Sequence, residues 1–235
     1  MKPRYAIYYT PPIGSALEAL GHEWLGRTGS DYVQERKEAP DGFHEAEYRK
    51  LVTAPRWYGL HGTLKAPFEL AESVTEHELI TEVRKVCSKH APFTLPQLAV
   101  NYLGSFLALT LTSPSPELFK LSVDCVRELD TLRAPLSEFD RNRHLKKKLS
   151  ERQERLLNRF GYPFVLEEFR FHMTLTDSMN DKQRPDCKRR LEEITAPYLH
   201  DNVEVSEVTI CMQPDRDTPF VNSTRVQLTG NKQDT

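Results

Sequence analysis

The stretch FRFHMTLT, residues 169–176, alternates apolar and polar side chains as a β-strand does, and a histidine lies in the middle of its polar face. A second stretch, LHGTLK at residues 60–65, repeats the order apolar-His-x-Thr-Leu. A chain with 8 histidines is expected to contain His-x-Thr-Leu under about 0.1 times by chance. Two copies, each in a strand-like stretch, therefore indicate that the two histidines act together.

The alternation predicts which residues of each motif share a face, because successive side chains of a strand point to opposite sides. In the first strand, His61, Thr63 and Lys65 fall on one face. In the second strand, the polar face carries Arg170, His172, Thr174 and Thr176. Each strand thus offers an imidazole, a hydroxyl and a cation in a line, and two such strands side by side predict a polar groove.

This set of side chains suits a phosphodiester. A neutral imidazole can take a proton from attacking water or a hydroxyl, and a protonated imidazole can give a proton to the departing oxygen. Strand-fixed threonine hydroxyls can hold the non-bridging phosphoryl oxygens, while Lys65 and Arg170 can offset charge that builds on phosphorus. The scheme needs no metal and no cofactor, and the motifs lack the carboxylate cluster that magnesium or manganese would require.

The order of elements around the motifs also repeats, at about 61–112 and 172–229, with each motif strand followed by a loop, a helix and a strand pair. Thr75 and Glu78 predict a capping box at the start of one helix. The predicted helices cover about 15–25, 43–52, 76–89, 117–132, 138–160 and 182–198, and further strands are expected at 4–10, 93–100, 105–112, 205–213 and 223–230.

Composition narrows the class of protein. A chain of 235 residues with 38% hydrophobic content can bury one sizeable core. Its net charge of −2 makes long nucleic acid an unexpected partner, although local cations can still hold a small anion. No apolar run approaches a membrane span or a signal peptide, and the four scattered cysteines form no metal-binding pair. A cytoplasmic location with reduced thiols is expected.

At the two motifs the sequence resembles the two-histidine (2H) phosphoesterase superfamily, whose members carry two His-x-Thr/Ser strands. It is most similar to a bacterial branch encoded in phosphonate-utilisation operons. The resemblance covers both halves of the chain, at residues 4–9, 24–27, 58–68, 151–165 and 169–176. One departure is Gly62, where alanine is expected in many relatives; its position falls on the core side of the strand.

The resemblance implies an α+β fold in which two antiparallel sheets face a central groove and helices pack outside. One bilobal domain over residues 1–235 is expected. The first motif would lie in a lobe at about 43–132 and the second in a lobe at about 165–230, with the strand at 4–10 joining the central sheets. The family roles fall on His61, Thr63, His172 and Thr174 as catalytic residues.

The implied activity is that of a metal-independent phosphodiesterase acting on a small cyclic phosphate, and the phosphonate association suggests a ribose cyclic phosphate. Either histidine can be the base. A small phosphorylated substrate is the expected partner, with no membrane and an open oligomeric state. Side chains that could contact the substrate are Lys65, Arg170, Thr176, Tyr58, Arg56 and Tyr8.

Two other functions remain open at this point. The groove could bind a nucleotide or an RNA end without turnover, or the protein could process RNA as the 2′–5′ ligase-like members of the superfamily do. The charged stretch at 138–160 could cover the groove, make a dimer contact or be a solvated helix.

Overall fold

A computed structural model of the protein describes residues 2–27, 38–146 and 148–231. The strands are β1 (Arg4–Tyr9), β2 (Gly62–Glu69), β3 (Phe93–Thr94), β4 (Leu98–Leu103), β5 (Phe106–Leu111), β6 (His172–Thr174), β7 (Glu204–Val205), β8 (Glu207–Gln213) and β9 (Val221–Gln227). The α-helices are α1 (Ala16–Leu25), α2 (Glu45–Leu51), α3 (Glu76–Cys87), α4 (Pro116–Glu128), α5 (Glu138–Leu145), α6 (Glu151–Phe160) and α7 (Arg184–Thr195).

The strands confirm the α+β class, but they join in a way that the prediction of two facing sheets did not include. One seven-stranded antiparallel sheet runs in the order β4-β5-β6-β2-β1-β8-β9, and β3 pairs with β7 in a second, two-stranded sheet. The large sheet is continuous because β2 and β6, the two motif strands, pair at Gly62 and Met173. The motif strands therefore lie next to each other at the middle of one sheet.

The repeat is present, with its hairpins exchanged. The hairpin β4-β5 follows the first motif strand in the chain, yet β5 pairs with β6, the second motif strand. The hairpin β8-β9 follows the second motif strand, yet β8 pairs with β1, which pairs with β2. The predicted lobes, drawn along the chain, therefore do not coincide with the two halves of the sheet. That the chain is one bilobal domain stays a prediction.

Strand β1 is buried along its whole length because both of its faces are covered. Tyr5, Ile7 and Tyr9 belong to the main hydrophobic core beneath the helices. Ala6 and Tyr8 face the other way, into a smaller cluster that includes Phe220. The alternation of β1 thus distinguishes a core face of the sheet from the opposite face, which is called the groove face below.

Local signals account for most helix ends. Thr75 and Glu78 form the predicted capping box at the start of α3. The predicted helix at 138–160 is instead two helices, because Ser150 caps a new helix with its own capping box to Gln153. The predicted strand at 93–100 is also divided, into β3 and β4. Within the described ranges, no helix combines the length and apolarity that a bilayer crossing requires.

Close contact between the motif strands depends on a glycine. A β-carbon at position 62 would collide with the ring of Phe171, which lies against β2. That ring also packs edge-on against Tyr9, with 6.1 Å between ring centroids. Glycine at position 62 therefore serves packing on the core side, which agrees with the side predicted for it from the alternation.

Candidate functional site

The register of the motif strands places the two His-x-Thr pairs diagonally across from each other. Since Gly62 pairs with Met173 in an antiparallel ladder, His61 lies opposite Thr174 and Thr63 lies opposite His172. All four side chains point to the groove face, because Met173 is buried in the core on the other side. Diagonal neighbours of this kind are about 7–8 Å apart, so one phosphate group can lie between the two imidazoles.

Each catalytic candidate histidine is oriented by a backbone carbonyl two residues before it. Nδ1 of His61 lies 2.9 Å from the carbonyl oxygen of Gly59, and Nδ1 of His172 lies 2.7 Å from that of Arg170. A carbonyl oxygen can only accept, so Nδ1 carries the proton in both rings. Nε2 is then the nitrogen that exchanges a proton in the groove. The same local device has formed twice, once for each copy of the motif.

Both rings open into one cavity of about 440 Å³ on the groove face. Seven of the residues predicted for the site line it together: Tyr8, Tyr58, His61, Thr63, His172, Thr174 and Thr176. The predicted convergence of the two motifs in one groove is therefore present in the structure.

Burial favours the neutral form of both rings in the free protein. The pKa of His61 is lowered to about 4, mainly by desolvation and also by the nearby His172 and Arg27, while the hydrogen bond to Gly59 opposes the change. Desolvation also lowers the pKa of His172, against the hydrogen bond to Arg170. An anion bound between the rings would raise both pKa values, since it favours the charged imidazolium.

Aromatic side chains enclose the first motif. The centroid of the Tyr8 ring lies 4.0 Å from that of the His61 ring, and the centroid of the Tyr58 ring lies 5.7 Å from that of the His61 ring. Tyr58 in turn stacks on Phe220 at 5.3 Å. Buried Arg27 fixes this wall by donating to the carbonyl groups of residues 56, 57 and 220. The expectation that Tyr8 and Tyr58 line the groove agrees with these contacts.

Lys65 does not lie in the groove, and the expectation that it shares a face with His61 is wrong. The pairing of β1 with β2 slips between Thr63, opposite Tyr8, and Lys65, opposite Ile7. This β-bulge turns Lys65 to the core face. There its ammonium donates to the carbonyl of Val126 at 3.2 Å and lies 3.8 Å from Asp130. Burial lowers the pKa of Lys65 to about 8.

The two predicted arginines also lie outside the main cavity. Arg170 is exposed and lines a neighbouring recess of about 400 Å³, which shares Thr63 and His172 with the main cavity. Arg56 is half-buried beside the cavity, and its carbonyl accepts from Arg27. Neither side chain is among the residues that line the main cavity, and contact of either one with the substrate stays a prediction.

Thr176 lines the cavity, but its hydroxyl has a structural contact. The side chain is buried, and its oxygen accepts from the backbone N–H of Leu107 at 3.0 Å. The adjacent carboxylate of Asp177 accepts from the N–H of Ala54 at 2.9 Å. The first bond joins the segment after β6 to β5, and the second joins it to the turn before the first motif.

The cavity residues that were not predicted include Arg4, Arg143, His144 and Tyr162. A signal for Arg4 existed, because it is four residues before Tyr8 and so shares its face of β1. No comparable signal marked Arg143 or His144, which lie on the charged helix α5. Helix α5 therefore helps to cover the groove, which answers one question that the sequence left open.

Among the described residues, no group of three or more His, Cys, Asp or Glu side chains converges as a metal site would require. The four cysteines are buried and unpaired, and none of them lines the cavity. The polar groups that line the cavity include the imidazoles of His61, His144 and His172, several hydroxyl groups, the carboxylate of Asp177 and the guanidinium groups of Arg4 and Arg143.

The family profile described as protein of unknown function (DUF1045) matches residues 63–221. The ribose 1,5-bisphosphate phosphokinase PhnN of Janthinobacterium sp. (strain Marseille) is 33% identical over 231 residues, which cover 97% of this chain and 51% of that protein. The protein of the same name from Laribacter hongkongensis (strain HLHK9) is 35% identical over 187 residues, covering 80% of this chain and 43% of that protein. The chain spans about half the length of the curated relatives it matches.

Solved structures superpose loosely on this fold. LigT of E. coli, complexed with ATP, matches with a TM-score of 0.43 and 14% identity over 97% of this chain and 99% of that one. Usb1 of Kluyveromyces marxianus, with uridine monophosphate, matches with a TM-score of 0.36 and 9% identity over 94% and 98% of the two chains. The roles of individual residues therefore rest on the geometry described above.

Proposed function

The chain belongs to the family described as protein of unknown function (DUF1045), and we propose that it is a phosphodiesterase that hydrolyses a small cyclic phosphate by two-histidine acid–base catalysis. One observation carries the proposal. Two adjacent strands present His61 and His172 to a single cavity, each with Nδ1 bonded to a carbonyl and Nε2 left for proton transfer. A pair of structural histidines would not require this matched arrangement.

The step balances with protein groups and water alone. Nε2 of one neutral imidazole takes a proton from a water molecule whose oxygen bonds to phosphorus. The phosphorus–oxygen bond of the ring breaks, and the other imidazole, protonated, gives its Nε2 proton to the departing sugar oxygen. The product is a phosphate monoester. Thr63 and Thr174 donate in this scheme to the non-bridging oxygens, where negative charge builds.

The substrate itself supplies the condition for acid catalysis. In the free protein, desolvation lowers the pKa of both His61 and His172. A phosphodiester anion between the rings favours a proton on one of them, and the repulsion between two imidazoliums disfavours a second proton. The bound anion thus selects the singly protonated pair that the reaction needs.

The size of the cavity and the names of the relatives favour a ribose cyclic phosphate as substrate. About 440 Å³ holds a small molecule rather than a polymer. Two curated relatives, about half of whose length this chain spans, are named for a kinase of ribose 1,5-bisphosphate. Hydrolysis of a cyclic ribose phosphate yields a ribose phosphate monoester, which is the same class of compound. This substrate also fits the resemblance to proteins of phosphonate catabolism.

A panel of 2′,3′-, 3′,5′- and 1,2-cyclic phosphates, assayed in the presence of a chelator, tests the proposal. We expect turnover of at least one compound by the wild-type protein and its loss in His61→Ala and His172→Ala. His77→Ala is a matched control, because His77 is exposed on α3, away from the cavity. Activity that disappears with chelator and returns with a divalent ion contradicts the mechanism. Tight binding of a cyclic phosphate without turnover, unaffected by either substitution, would favour the non-catalytic binding protein.

A further inference from the structure

One end of the cavity carries a buried cation that the two-histidine chemistry does not use. Arg4 lies on the groove face of β1, on the same side as Tyr8, and only 7% of the residue is exposed to solvent. Its guanidinium lies over the ring of Phe220, 5.5 Å from the centroid. Phe220 in turn contacts Tyr8, which contacts His61. A short series of ring contacts therefore joins Arg4 to the catalytic histidine.

Arg4 is held by a neutral group and not by a carboxylate. Its Nε donates to Oε1 of Gln213 at 2.8 Å, and its Nη2 donates to the same oxygen. The amide of Gln213 is fixed in this orientation because its Nε2 donates to the carbonyl of Thr218 at 2.7 Å. In the part of the chain that the structure describes, no carboxylate lies within ion-pair distance of Arg4. Among those described residues its buried charge has no direct ion pair and is favoured by Asp140 only from beyond ion-pair distance, and such a charge favours an anion nearby.

The neighbouring Arg216 shows the opposite arrangement. It donates to both oxygens of Asp140, at 2.9 and 2.5 Å, and lies 3.5 Å from Glu69. Arg143, on α5, reaches the same Asp140 only at 3.6 Å, and its side chain is half-exposed where it lines the cavity. Three guanidinium groups thus lie near two carboxylates, which leaves one positive charge in excess, and only Arg4 and Arg143 of the three line the cavity.

We propose that Arg4 and Arg143 bind a second phosphate group of the substrate, so that the compound hydrolysed is a pentose cyclic phosphate that also carries a phosphate on its primary hydroxyl. This inference rests on the proposed function and names the substrate class more closely. The cyclic phosphate lies between His61 and His172, and the second phosphate lies at Arg4. The sugar ring lies between them against the aromatic wall. A guanidinium suits this role because it can bind a phosphate with two parallel hydrogen bonds.

The test compares one cyclic phosphate in two forms, with and without a phosphate on the primary hydroxyl. In the wild-type protein we expect the phosphorylated form to have a kcat/KM at least about tenfold higher, mostly through KM, as for hydrogen bonds between charged groups. Gln213→Glu places a carboxylate on Arg4 while Arg4 itself is kept, and it should bring the preference close to 1. Arg4→Gln should do the same, and Arg143→Gln should reduce the preference partly.

Arg155→Gln is the matched control, because Arg155 is exposed on α6, where its contact is with Glu151 in the same helix. It should leave the preference unchanged. Equal kcat/KM for the two forms in the wild-type protein would overturn the proposal of a second phosphate. It would not contradict the proposed phosphodiesterase activity.

A binding measurement separates the two proposals if no cyclic phosphate is hydrolysed. That outcome would contradict the proposed function, but calorimetric titration with ribose 5-phosphate would still test whether Arg4 and Arg143 bind a phosphate. The wild-type protein should bind ribose 5-phosphate at least about tenfold more tightly than Gln213→Glu. Absence of binding to the wild-type protein, or equal binding to both proteins, would overturn the assignment of Arg4.

Discussion

The two motif strands carry the same residues at the same spacing, yet their histidines have different surroundings. The ring of His61, the residue directly before β2, lies 4.0 Å from the ring of Tyr8, and the pKa of His61 is lowered to about 4. The ring of His172, on β6, lies 6.0 Å from the ring of Phe106, measured between centroids. The hydrogen bond from His172 to the Arg170 carbonyl is exposed to solvent. Arg27 adds positive charge near the first ring alone. The motif therefore orients the imidazole, while the residues around each ring set how readily that ring takes a proton.

The difference suggests a division of labour between the two rings. A ring that resists protonation is suited to start as the neutral base, so we expect His61 to take the proton from water. The more open His172 is then expected to give its proton to the leaving oxygen. Proton transfer by a general acid or a general base typically raises the reaction rate by about 10²–10⁴-fold. Loss of either histidine should therefore lower the rate strongly, but at a different proton transfer in each case.

The largest expected effect separates the two histidines by the leaving group. His61→Ala and His172→Ala should each lower kcat/KM for the cyclic phosphate by about 10²–10⁴-fold. With a 4-nitrophenyl phosphodiester, whose leaving oxygen needs no proton, His172→Ala should recover most of its activity and His61→Ala should not. Steady-state kinetics with both substrates measure this. Recovery in His61→Ala alone would reverse the assigned roles, and equal behaviour of both variants would remove the asymmetry.

The second prediction concerns the threonines that lie diagonally between the rings. Thr63→Val and Thr174→Val should each lower kcat by about 10–10²-fold, because each removes one donor from the developing charge on the phosphoryl oxygens. Thr63→Ser and Thr174→Ser keep the hydroxyl and should retain most activity. A loss confined to KM, or a serine variant as inactive as the valine variant, would show that the hydroxyl has no role in the transition state.

The third prediction sharpens the comparison through stability. The pKa of His61 is about 4 in the folded protein, and an unfolded histidine titrates near about 6.5. As pH falls from about 6.5 to 4, the unfolded state binds a proton before the folded state does, so the free energy of unfolding decreases by an amount on the order of 2 kcal/mol. His61→Gln should remove more of this decrease than His172→Gln.

Urea denaturation at several pH values between about 4.5 and 7.5 measures the effect. The wild-type protein should lose stability toward acid, and His61→Gln should show the flatter profile of the two variants. A flatter profile for His172→Gln would mean that the second ring, and not the first, is the more strongly held in its neutral form.

The smallest expected effect on activity tests the core face of the sheet against the groove face. Lys65→Met removes a buried cation that contacts the Val126 carbonyl and Asp130, so it should change the free energy of unfolding, by about 1–3 kcal/mol in either direction. It should leave kcat/KM within about twofold, because the side chain does not line the cavity. Thermal unfolding and kinetics on one preparation measure both quantities. A large rise in KM would place Lys65 in the groove after all.

Much of the site could be predicted because its logic is local. The period of two in a strand puts His61 with Thr63, and His172 with Thr174, on single faces without reference to the rest of the fold. Capping chemistry is equally local, and it marks the start of α3 at Thr75. The division of the 138–160 stretch at Ser150 was open to the same reasoning, because Ser150 and Gln153 form a capping box within the helical pattern.

Contacts that depend on pairing escaped prediction. Lys65 points to the core face and not into the groove because of a β-bulge, which forms only when β2 pairs with β1. Arg4 and Arg143 meet in one cavity although 139 positions separate their numbers, and helix packing alone brings α5 there. Nothing in the charged pattern of α5 distinguishes a residue that lines a groove from one that faces solvent.

The sequence by itself determined that two strands each present an imidazole and a hydroxyl on one face, since side-chain alternation is a property of the single strand. The tertiary structure alone decided that these two strands are neighbours and that their histidine rings differ in burial. It also decided that β6 pairs with the hairpin of the first copy, and that β2 is joined through β1 to the hairpin of the second copy. The reason is that backbone hydrogen bonds between strands carry no residue code. Partner choice and ring environment depend on how the whole core packs.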